Sequence, residues 1–110
     1  MDMNDATEAF AALSQPLRLK AYRLLVQAGG DGLMAGEISE GLDVRQNTMS
    51  ANLAVLLNAG LVRRERQGRT IRYFANYETM QALLAFLLQD CCGGRPELCE
   101  PLIQEIACAC

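Results

Sequence analysis

The stretch AGEISEGLDVRQNTMSANLAVLLNAGLVRRERQGRTIRYF, residues 35–74, changes hydrophobic period near its middle, and that change decides the fold. From Ala35 to Leu42 the apolar side chains Ile38 and Leu42 fall on one face of a short helix. Asp43-Val44-Arg45 follows at once. A second helix is predicted from Gln46 to about Ala59, with Met49, Leu53, Leu56 and Leu57 as its apolar stripe and Gly60 as its stop. Beyond Gly60 the period falls to two. Leu61–Arg66 and Thr70–Phe74 read as strands, and Gln67-Gly68-Arg69 between them reads as a hairpin connector.

Two short helices joined tightly at Leu42-Asp43-Val44 and followed by a basic hairpin form the pattern of a winged helix-turn-helix. In that arrangement the second helix enters the major groove of DNA with its N-terminal residues against base edges. Here those residues are Arg45, Gln46, Asn47, Thr48, Ser50 and Asn52, all hydrogen-bonding types. Gln and Asn can pair bidentately with adenine, and Arg with guanine. Arg69, in the hairpin connector, is placed for phosphate or the minor groove. Charge agrees with a polyanion on one face. Residues 45–72 hold Arg45, Arg63, Arg64, Arg66, Arg69 and Arg72 against Glu65 alone, a local charge of +5, within a chain whose net charge is −3.

On the N-terminal side, Ala6, Ala9, Phe10 and Leu13 predict an amphipathic helix over Met3–Leu13. Ser14-Gln15-Pro16 offers an N-cap and an early proline for a second helix, which Gly29-Gly30 ends. On the C-terminal side, Tyr77 to Asp90 is helical and apolar almost all round, through Met80, Leu83, Leu84, Phe86, Leu87 and Leu88. A helix of that kind must be covered on both sides, and a domain this small cannot do so alone, so a dimer interface is expected. Cys91-Cys92-Gly93-Gly94-Arg95-Pro96 breaks that helix, and a last short helix is expected near Pro101. The expected fold is mainly α with a two-stranded β wing, a dimeric winged helix-turn-helix. Residues 1–90 form its DNA-binding and dimerisation domain, and residues 91–110 a cysteine-rich sensing segment.

Composition narrows the chemistry. The 110 residues fit one domain and include no histidine, which removes histidine-based nucleophile pairs, histidine-ligated zinc and histidine general bases together. The longest nearly apolar run, residues 80–88, is too short to span a membrane, and the acidic start lacks the apolar region of a secretory leader. A cytoplasmic location without membrane partners is expected.

Leu13-Ser14-Gln15-Pro16-Leu17-Arg18-Leu19 resembles the "L-x-x-P-x-R-L" start of the ArsR/SmtB repressors. Residues 46–62, from Gln46 to Val62, resemble their "Q-x-T-V-S-x-H-L-x-V-L-x-x-A-G-L-V". Gly68-Arg69 and Tyr73-Phe74 match their wing and its second strand. The similarity covers roughly residues 6–88. It implies a homodimeric repressor that releases operator DNA when a metal or metalloid binds. The sequence departs from the family pattern in three places. The "C-V-C" arsenic motif has no counterpart in residues 33–38, the histidine-based zinc site is absent, and Asn52 stands where a histidine is usual.

All five cysteines lie in the last twenty residues. Cys91, Cys92 and Cys99 flank a Gly-Gly turn that can bring them together, and soft sulfur ligands select soft ions. Trivalent arsenic and antimony favour three sulfurs in a pyramid, and some family members similarly carry a C-terminal Cys-Cys…Cys arsenic site. The expected function is therefore an As(III)-responsive repressor, with As(III), or Sb(III), as inducer at Cys91, Cys92 and Cys99 and no organic cofactor. Cys108 and Cys110 are expected to assist at most. The alternative is a thiol redox-sensing repressor of the same fold, whose disulfide would need Cys99, Cys108 or Cys110 as partner because adjacent Cys91 and Cys92 make a strained pair. Zinc or cadmium on four thiolates lacks a Cys-x-x-Cys spacing. A thiol-based arsenate reductase, the remote alternative, would want a Cys-x5-Arg loop or a Cys-x-x-Cys pair. The chain has neither, so no enzyme is expected.

Overall fold

A computed structural model describes the backbone of residues 1–109 and the side chains of residues 1–107. The order is α1 (Met3–Leu13), α2 (Pro16–Ala28), β1 (Leu33–Met34), α3 (Ala35–Leu42), α4 (Gln46–Asn58), β2 (Val62–Gln67), β3 (Thr70–Ala75), α5 (Tyr77–Leu87) and α6 (Pro96–Ala109). A short 3-10 turn covers Gly29–Asp31 and another Cys91–Gly94.

The core lies where α2, α4, β3 and α5 meet. Leu25, Ile38, Met49, Leu53, Leu56, Leu61 and Leu83 are its largest fully buried side chains. The stripe predicted for α4 supplies three of them, Met49, Leu53 and Leu56. Helix α1 turns the small side chains of Ala6, Ala9 and Ala12 inward, and Phe10, expected on the apolar face, stays exposed. Ser14 is not the N-cap of α2. Its hydroxyl donates back to Ala11 O (2.8 Å) and closes α1, while Gln15 Oε1 accepts from the Arg18 N–H (2.8 Å) and caps α2.

The sheet has three strands in the order β1-β3-β2, all antiparallel. The β2–β3 hairpin is the wing. Gln67 pairs with Thr70, so Gly68-Arg69 is a two-residue loop, with Gly68 at φ +67° as a hairpin of this length requires. Strand β1 is too short to show a period and was not expected. It pairs Leu33 with Tyr73 and Met34 with Arg72, tying the start of α3 to the wing. Gly32 makes this possible. Its φ is +61°, and a Cβ there would lie 2.6 Å from the Tyr73 carbonyl oxygen.

Two boundaries differ at the C-terminal end. Helix α5 stops at Leu87 rather than Asp90, because Asp90 takes the left-handed conformation (φ 56°) and turns the chain into the Cys91–Gly94 segment. The last helix begins at Pro96, not near Pro101. Proline suits a first helical position, and Pro101 is carried inside the helix at the loss of one backbone N–H donor. Apolar side chains stand exposed on α1 (Met3, Phe10), α5 (Leu84, Leu87) and α6 (Leu98, Leu102, Ile103, Ile106).

Candidate nucleic-acid interface and thiol cluster

The turn between α3 and α4 is short because Asp43 adopts the left-handed conformation, φ 53° and ψ 51°. Its N–H and that of Val44 then bond back to Glu40 O (3.2 Å) and Ser39 O (3.0 Å). This sets α4 across α3 with Arg45 as N-cap residue. Arg45, Gln46, Asn47, Thr48 and Ser50 are all exposed at the start of α4. Asn47 is partly engaged: its Oδ1 accepts from the Thr48 N–H at 2.9 Å.

Asn52 is placed differently. It is half-buried, its Nδ2 donates to Thr48 O (2.9 Å), and its Oδ1 accepts from Arg18 Nη1 at 3.3 Å. The Arg18 Nε also donates to Ala12 O at 2.7 Å. One guanidinium therefore joins the end of α1 to the middle of α4. Arg18 lies inside the proline-arginine motif of α2, but its partner on α4 is 34 residues away, so its clamping role was not legible in the sequence.

The arginines divide into two sets. Arg63 stacks over Phe74, 4.3 Å from the ring centroid, and lies 3.6 Å from Glu65. Arg72 donates to Asp31 O (3.1 Å) and Gly32 O (3.3 Å) and lies 3.8 Å from Glu37, so it holds β3 against the loop before β1. Arg45, Arg64, Arg66 and Arg69 remain exposed. Register puts Arg64 opposite Tyr73 and Arg66 opposite Ile71, on the same face of β2 as Val62, and Arg69 occupies the wing tip.

At the other end, the turn after α5 gathers sulfur. Cys91 Sγ lies 2.8 Å from Cys99 Sγ and 3.3 Å from Cys92 Sγ, and the three Sγ atoms all fall within 4.8 Å of one another. Cys92 and Cys99 are disulfide-linked, with Cα atoms 6.4 Å apart, and Cys91 is a free, exposed thiol. Left-handed Asp90 and Cys92, with Gly93 and Gly94 at positive φ, fold the turn back so that Cys99 on the first turns of α6 meets the pair. Among the described residues this is the one group of three or more Cys, Asp or Glu close enough to hold an ion. Cys110 and the side chain of Cys108 lie outside the described residues.

A tight helix pair, a polar exposed start to the second helix and a cationic hairpin beside it define a winged helix-turn-helix protein. Residues 13–65 match a helix-turn-helix domain family. The transcriptional repressor SdpR of Bacillus subtilis is 33% identical over 79 residues, covering 72% of this chain and 84% of that protein. An ArsR-like transcriptional regulator from Rhodococcus shares 26% identity at a TM-score of 0.69, with 94% of this chain and 93% of that one covered. A homodimeric winged helix-turn-helix DNA-binding domain from Mycobacterium bovis has the same fold, with 23% identity, a TM-score of 0.66 and 77% of each chain covered. The chain belongs to the ArsR family of winged helix-turn-helix transcriptional regulators, a family and fold of DNA-binding regulators rather than enzymes. No helix among the described residues is long and apolar enough to cross a membrane.

Proposed function

We propose that this chain is a homodimeric repressor that holds operator DNA through α4 and the wing. In its reduced form it releases the operator when trivalent arsenic, or antimony, binds Cys91, Cys92 and Cys99. The observation that carries the inducer is the convergence of three sulfurs within 4.8 Å directly after α5. Three soft donors and no histidine or carboxylate in the cluster fit a thiophilic, three-coordinate ion better than a hard cation. The exposed apolar side chains of α1 and α5 support the dimer, in which α5 sets the separation of the two α4 helices. Pulling the start of α6 toward the end of α5 acts on that element.

An inducer shifts the equilibrium only as far as it prefers the released state, and operator DNA must weaken inducer binding by the same factor. All three thiols give up protons on binding, so affinity falls as pH is lowered. The test is an operator-binding titration with arsenite. Cys91→Ser, Cys92→Ser and Cys99→Ser should each retain operator binding and lose arsenite-induced release. Cys108→Ser and Cys110→Ser should respond as wild type. A Cys99→Ser protein that arsenite still releases would refute the trio.

A further inference from the structure

We infer that the same cluster is an oxidation site for peroxides, with Cys92 and Cys99 as the pair that forms the disulfide, and that this bond shuts the site to arsenite. This rests on the reading of Cys91, Cys92 and Cys99 as the metalloid site. The pair is specific. Cys92 and Cys99 are already bonded across the Gly93-Gly94 turn at a Cα separation of 6.4 Å, inside the range a disulfide spans without moving backbone. Cys91 adjoins Cys92 in sequence and stays a thiol although its sulfur lies 2.8 Å from Cys99. The cluster is also reachable, since Cys91 is exposed and Cys92 and Cys99 are only half-buried.

The oxidant is a hydroperoxide. One thiolate of the pair attacks a peroxide oxygen, breaking the O–O bond to give a sulfenic acid and, after protonation, an alcohol or water. The second thiol then attacks the sulfenic sulfur, forming the S–S bond and expelling water. Two thiols lose two electrons and two protons, and the peroxide gains both. The product leaves Cys91 as the sole free thiol in the cluster, one donor where the ion needs three. In a cytosol such a bond is transient, so the block is lifted when a thiol reductant restores the pair. The consequence is a sensor that answers arsenite only while its cluster is reduced.

The experiment uses the full chain carrying Cys108→Ser and Cys110→Ser, so that the cluster holds every thiol. After hydrogen peroxide and then iodoacetamide, peptide mapping should show a Cys92–Cys99 bond and alkylated Cys91. Arsenite binding, followed by the ultraviolet absorbance of the arsenic–sulfur bonds, should be present in the reduced protein and lost on oxidation. It should return after a phosphine reductant. Cys91→Ser should still form the Cys92–Cys99 bond while losing arsenite binding. A bond to Cys91, oxidation to sulfinate without any bond, or undiminished arsenite binding with the bond in place would overturn the redox block. Failure of reduced protein to bind arsenite would instead overturn the metalloid site, whatever the peptide map shows.

Discussion

Asn52 stands where the resemblance expects a histidine, and Arg18 explains what an amide does there. The Asn52 side chain accepts from Arg18 and donates to Thr48 O, so the guanidinium, the amide and the backbone of α4 form one chain of hydrogen bonds. The sequence offered Asn52 as a base-reading residue because its type and position fit. Nothing in the spacing could reveal that a residue of α2 occupies its carbonyl. Arg18→Ala should cost about 1–3 kcal/mol, since it strands the Ala12 and Asn52 acceptors in a partly buried setting. A double-mutant cycle with Asn52→Ala, read by urea unfolding, should return a coupling of roughly 0.5–3 kcal/mol. Additive losses would show that the two side chains do not act together. Tyr22 gives a second test at this scale. Its hydroxyl is buried without a hydrogen-bond partner, and burial, helped by nearby Tyr77, pushes its pKa from 10.0 up to about 12. The fold favours the neutral phenol, so this group's contribution to stability is intact below pH 10. It is lost as pH climbs from there through about 12. Tyr22→Phe should remove that alkaline loss and raise stability by about 1 kcal/mol, because an unpaired buried oxygen is gone. Thermal melts across pH 8–12 would check both, and an unchanged alkaline limb would contradict the assignment.

Among the elements, helices α3 and α4 were legible because each buries one face and so writes its period into the sequence, and the wing because Gly68 marks a turn between two β-rich runs. The predicted apolar stripe of α4 became core, and the Gly68 turn fell where the connector placed it. Strand β1 was not legible, since two residues carry no period and its register is set by β3, some forty residues on. The end of α5 and the start of α6 were misplaced for a local reason. Left-handed Asp90 stops one helix without a glycine, and Pro96 rather than Pro101 takes the first helical position of the next. The basic block was legible as charge, but not the contacts inside it: Arg63 lies over Phe74 and beside Glu65 while staying exposed, and Arg72 is engaged by Glu37 and backbone carbonyls. The wing and α4 should therefore separate in function. Arg69→Ala at the wing tip should weaken binding to every sequence alike and reduce the salt slope by about one. Gln46→Ala in the first turn of α4 should instead cost about 1–3 kcal/mol on the preferred operator and little on others. Anisotropy titrations at several salt concentrations distinguish the two patterns, and identical behaviour of both variants would remove the division of labour.

For the whole molecule, the cysteine cluster after α5 and the exposed start of α4 lie on different parts of one small chain, and in the proposed dimer α5 is the element that would connect them. The sequence indicated a shared interface because α5 is apolar nearly all round. In the structure Leu83 is buried in the protomer's own core at 2% exposure, whereas Leu84 and Leu87 stand 42% and 58% exposed. One side of the helix is thus committed to the fold and the other is free for a partner. A pair of charges on the free side should split the assembly and spare the domain. Leu84→Asp with Leu87→Asp should sediment as a monomer at micromolar concentration and keep its thermal unfolding cooperative, because neither side chain contributes to the buried core. Linking two reading helices on one rigid body raises their joint affinity by about 10²–10⁴ over a single one, so the monomeric variant should lose operator binding by that order. It should bind a half-site and a full palindrome about equally, since it cannot span two turns of groove about 34 Å apart. With its three thiols intact it should still take up arsenite, yet arsenite should no longer change what little DNA binding remains. A variant that stays dimeric, or a monomer that arsenite still releases from DNA, would show that the signal does not pass through the α5 interface.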